Sequence, residues 1–91
     1  MDKNKILELF LALYQRVDLE RQLDAHERLG IELNNEFKLA MHEQKEHQVS
    51  WAYYAEHRAK EQKNISNISD ITTALADNMK RLNEAKEDFL A

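Results

Sequence analysis

The stretch NISNISDIT, residues 64–72, writes one triplet almost three times: Asn64-Ile65-Ser66, Asn67-Ile68-Ser69, Asp70-Ile71-Thr72. Its reading decides how many helices the chain has. A strand is excluded, because strand faces alternate every two residues and this repeat has period three. On a helix, Ile65, Ile68 and Ile71 stay on one side. Yet Asn, Ser, Thr and β-branched Ile are mediocre helix formers that prefer caps and turns. Ser66, Asn67 and Ser69 each suit an N-cap, with Asp70 in the first turn of a following helix. The stretch therefore reads as a joint. The alternative is one long helix, because a heptad register runs unbroken through the repeat: Trp51, Tyr54, Arg58, Glu61, Ile65, Ile68, Thr72, Leu75, Met79, Leu82. Polar Arg58, Glu61 and Thr72 at core positions weigh against that coiled coil.

Working outward, Ile71, Leu75, Met79, Leu82 and Phe89 give a helix over about 70–90 a clean apolar face. Before the repeat, Leu33, Phe37, Ala40, Met41, Trp51, Tyr54, Ala55 and Ala59 mark a helix over about 35–62. Its stripe is broken by the wholly polar HEQKEHQ at 42–48. At the start, Ile6, Leu9, Phe10, Leu13, Val17, Leu19 and Leu23 recur at helical spacing over about 3–29. Gly30 then occupies the place of a left-handed C′ residue, with Ile31 as the apolar residue after it. A helix continuing through Gly30 is the alternative, at about 1 kcal/mol for the glycine.

The composition supports helices throughout. The chain has 91 residues, no Pro and one Gly, where strand-and-turn folds need such residues at their hairpins. Apolar residues at 43% against 33% charged speak for a soluble folded chain rather than a disordered one. The expected fold is all-α: one domain over 1–91, an antiparallel helical hairpin or three-helix unit of long amphipathic helices, assembling into a helical bundle dimer or higher oligomer. Seventeen acidic residues against 13 basic ones leave no basic face for phosphates, so nucleic acid is not the expected partner. Zero cysteines exclude thiol catalysis and Cys-ligated metal sites and suit the cytoplasm, the expected location. The apolar run ILELFLALY, interrupted by Glu8, is too short to span a bilayer and shows no cleavage signal.

Three constellations bear on function. HEQKEH resembles the zinc-peptidase spacing but fails it. His42 and His47 are five apart, about 140° round a helix, where the motif needs four. The cross pairs His42–Glu46 and Glu43–His47 each share a face and make a weak metal set; solvated helix surface is the expectation. In WAYYAEH, Trp51 and Tyr54 lie together while Tyr53 points about 200° from Trp51. Either Trp51 and Tyr54 are core and Tyr53 half-exposed, or the patch is a partner-facing anchor of the kind aromatic residues form at interfaces.

The third is ILELFLALY itself, residues 6–14. Eight of its nine residues are apolar and they circle the helix, whereas a surface helix needs one stripe. Ile6, Leu7, Leu9, Phe10, Leu13 and Tyr14 are therefore the expected oligomer interface. Glu43, Glu46, Trp51, Tyr53 and His57 are the expected contacts to a basic, partly apolar protein partner. No serine triad or glycine-rich phosphate loop is present. The expected function is thus non-enzymatic and needs no cofactor: a small adaptor, chaperone or inhibitor, of the kind phage and mobile-element accessory proteins provide, working by self-association and protein binding. The alternative is a metal- or small-ligand-binding bundle built on His42, Glu43, Glu46 and His47.

Overall fold

The computed structural model describes residues 3–43 and 50–91, with Glu43 described through its backbone alone. The described residues form two helices, α1 over Lys3–Glu43 and α2 over Trp51–Leu90, which pack against each other as a helical hairpin. The all-α expectation holds; the three-helix division over 3–29, 35–62 and 70–90 does not.

Each expected break has a physical reason for failing. Gly30 lies inside α1, and no glycine has a positive φ. It serves close approach instead: a Cβ there would meet the Asn64 amide nitrogen at 3.2 Å. NISNISDIT lies wholly inside α2. The N-cap candidates Ser66, Asn67 and Ser69 therefore cap nothing, and Asn64 spends its amide on the His26 carbonyl of α1 at 2.9 Å. Packing of this kind outweighs a per-residue propensity deficit of a few tenths of a kcal/mol. The isoleucines do not share a face either. Each step of three stops about 60° short of a full turn, so they fan out from Ile65, 58% exposed, through half-buried Ile68 to Ile71, 7% exposed.

The start of α2 at Trp51 falls inside the span 35–62 that the sequence suggests is one helix with a broken stripe. Ser50 caps it: its Oγ accepts the Tyr53 N–H at 3.1 Å and its carbonyl accepts the Tyr54 N–H at 3.0 Å. The expected second helix is therefore the end of α1 plus the beginning of α2.

The contacts group into two compact units. Unit 1 comprises Met1–Leu23 and Asp70–Ala91; unit 2 comprises Asp24–Ser69. In unit 1 the seam is made by Leu9, Ala12, Arg16, Leu19 and Leu23 against Ile71, Leu75, Asn78, Leu82 and Ala85. In unit 2 it is made by His26, Gly30, Leu33 and Phe37 against His57, Glu61, Asn64 and Ile68. Steps of three and four recur on both helices, the spacing of a coiled-coil seam.

The register differs from the apolar one that the sequence suggests. Glu61, Ile68, Leu75 and Leu82 turn inward as expected. The alternate positions sit one residue earlier, at Asn64, Ile71 and Asn78 in place of Ile65, Thr72 and Met79. The two asparagines explain the shift. Asn64 Nδ2 donates to the His26 carbonyl and Asn78 Nδ2 donates to the Ala12 carbonyl, each at 2.9 Å. Both donors and both acceptors are two heptads apart, so each unit carries one copy of the same bond. In unit 2 the approach of the amide is opened by Gly30, where a Cβ would meet Asn64 Nδ2.

Candidate protein interface

In unit 1, one side of α1 fills the seam and the other is uncovered. The apolar residues of 6–14 divide between the two sides. Of the expected oligomer interface, Leu9 lies in the seam and Ile6 is half-buried beside it, whereas Leu7, Phe10, Leu13 and Tyr14 are exposed, Tyr14 by 75%. Val17 and Met79 join them; Leu11 is exposed too, but on the other flank. Their spacing alone puts Val17 and Met79 in core stripes; the signal pointing outward is that Phe10, Leu13 and Val17 form a three-four line of their own.

The two flanks of unit 1 differ in chemistry. On one, the charged or polar Glu8, Gln15, Arg81, Glu84 and Asp88 line a groove of about 290 Å³ around Leu11, Ala12 and Ala85, and Asp18 and Asp77 border a neighbouring one of about 330 Å³. Helical geometry places Phe10, Leu13 and Val17 on the opposite flank of α1, and Met79 on the same side of α2. Arg16, half-buried between the helices, bridges toward it with Nη1 3.4 Å from the Met79 sulfur and Nε 3.1 Å from Glu20.

In unit 2, the aromatic segment is turned the other way from the core reading. Trp51 is 85% exposed and Tyr54 is exposed as well, the two rings meeting edge to face at 6.3 Å. Tyr53 is half-buried and parallel to His57 at 6.4 Å. Tyr53 shares the inward line because it lies four residues, one turn, before His57. His57 itself, expected on the partner surface, is buried at 7% exposure. Phe37 stacks on its ring at 4.7 Å, and its Nε2 contacts Glu61 Oε1 at 2.8 Å. His57 therefore belongs to the seam, as does His26, whose Nδ1 shares a hydrogen bond with Asn64 Oδ1 at 3.0 Å. A histidine suits these positions because one face of the ring packs and one nitrogen finds an oxygen.

Trp51 and Tyr54 leave an exposed aromatic pair at the start of α2, with Leu39 and Met41 exposed near the end of α1. Of the weak metal set, His42 is exposed and Glu43 ends α1, while Glu46 and His47 lie outside the described residues. Among the described residues no three His, Asp or Glu side chains gather as an ion would need. Among the described residues no helix is long and apolar enough to cross a membrane.

Comparison with family models, with curated proteins and with solved structures gives no match.

Proposed function

We propose that this chain is a non-enzymatic interaction module, which self-associates through unit 1 and presents the Trp51–Tyr54 end of unit 2 to a protein partner. One observation carries the reading: Leu7, Phe10, Leu13, Tyr14 and Val17 crowd the uncovered side of one helix segment. Two helices can cover only one stripe of each other, and among the described residues no side chain is fully buried. A contiguous apolar surface on so thin a core marks an interface. The partner complements a net charge of −4, so it is basic at its rim and apolar where Trp51 enters. His26 and His57 are engaged in seam contacts, with Asn64 and Glu61 respectively.

The test is sedimentation of the full chain at micromolar concentration. The expected result is a species heavier than the 10.8 kDa protomer. A single monomeric boundary across the concentration range would remove self-association from the proposal.

A further inference from the structure

We propose that the occupant of the apolar flank of unit 1 is a second copy of this chain, with the two α1 segments antiparallel. The inference rests on the self-association proposed above and adds its face, direction and register. Lys3, Ile6, Phe10, Leu13, Val17 and Glu20 follow one another along α1 at steps of three and four. They draw a second heptad line beside the one that packs on α2. Ile6 is half-buried and the other five are exposed.

The chemistry of this line reads in one direction: a base, four apolar residues, an acid. An antiparallel copy reads it in reverse. Phe10 then faces Leu13 of the second copy, Ile6 faces Val17, and Lys3 faces Glu20 at both ends. A parallel copy would set Lys3 against Lys3 and Glu20 against Glu20 and align the two helix dipoles unfavourably. Glu20 already accepts Arg16 Nε at 3.1 Å; a carboxylate has lone pairs for a second cation.

The area is sufficient. Leu7, Phe10, Leu13, Tyr14, Val17 and Met79 are between 39% and 75% exposed. With large side chains of order 150–250 Å², they leave roughly 500 Å² of apolar surface uncovered per copy. A standard interface buries about 800 Å² per partner, a little over half of it apolar. A two-fold axis lets one patch cover its own copy, with no other component required.

The native chain has no cysteine, so single thiols can report the geometry. Lys3→Cys and Glu20→Cys are oxidised separately and as an equimolar mixture. The two positions are about 25 Å apart along one helix. The expected result is a cross-linked dimer from the mixture and none from either variant alone. Cross-linking of each variant with itself would mean a parallel pair and overturn the proposal, while self-association stands. A sedimenting dimer with no cross-link in any sample would place the interface on another face, with the same consequence. A monomeric wild type would overturn both. In a second arm, Lys3→Glu weakens the dimer about tenfold by sedimentation, and Lys3→Glu/Glu20→Lys restores it. A swap that fails to restore affinity would overturn the register.

Discussion

Replacing Gly30 with alanine measures how tightly the two helices of unit 2 approach. By helix propensity alone, Gly30→Ala inside α1 should stabilise by about 1 kcal/mol. The seam opposes it. The new Cβ would sit 3.2 Å from Asn64 Nδ2, so the amide must retreat by a few tenths of an ångström. Asn64 is only 4% exposed and is held by two bonds to His26, at 2.9 Å to the carbonyl and 3.0 Å to Nδ1. Each bond contributes about 1 kcal/mol net, and a buried amide left poorly paired costs about 1–3 kcal/mol. Gly30→Ala should therefore destabilise by about 1 kcal/mol. In an Asn64→Ala background the obstacle is gone and the same change should stabilise by about 1 kcal/mol. The coupling of about 2 kcal/mol lies within the range for residues in contact. Urea unfolding followed by circular dichroism reads all four chains, at one protomer concentration because assembly shifts apparent stability. A full 1 kcal/mol of stabilisation from Gly30→Ala alone, or the same effect in both backgrounds, would refute the close-approach account of this glycine.

Asn78→Leu should stabilise the fold by about 2 kcal/mol. It loses the bond to the Ala12 carbonyl, but it removes Oδ1, buried without a protein donor, and adds buried apolar area; a lower urea midpoint would show that Oδ1 is satisfied in solution. Trp51→Ala removes an exposed ring, so helicity and sedimentation should stay within error of wild type while the protein recovered with the wild-type chain from its native cells is lost; undiminished recovery would take Trp51 out of the partner surface.

Much of this protein is legible without coordinates. The absence of proline, the scarcity of glycine and the three-four recurrence of apolar residues require helices, because each is a property of neighbours along one chain. The all-round apolar character of residues 6–14 requires more than one covering surface, for the same reason. Where helices stop was not legible. Gly30 and NISNISDIT carry the local chemistry of breaks, and α1 and α2 run straight through both. Local preference there amounts to a few tenths of a kcal/mol per residue, about 1 for the glycine, and a neighbouring helix outweighs it. Nor was the register legible. A search for the most apolar seam selects Ile65 and Met79, whereas the hairpin buries Asn64 and Asn78. That choice depends on carbonyls at Ala12 and His26, dozens of residues away in sequence. The same one-residue shift turns Trp51 outward and His57 inward. Periodicity reports that a helix has a face; only the partner helix decides which residues the face contains, because the hydrogen bonds and close approaches that select it exist only once both helices are in place.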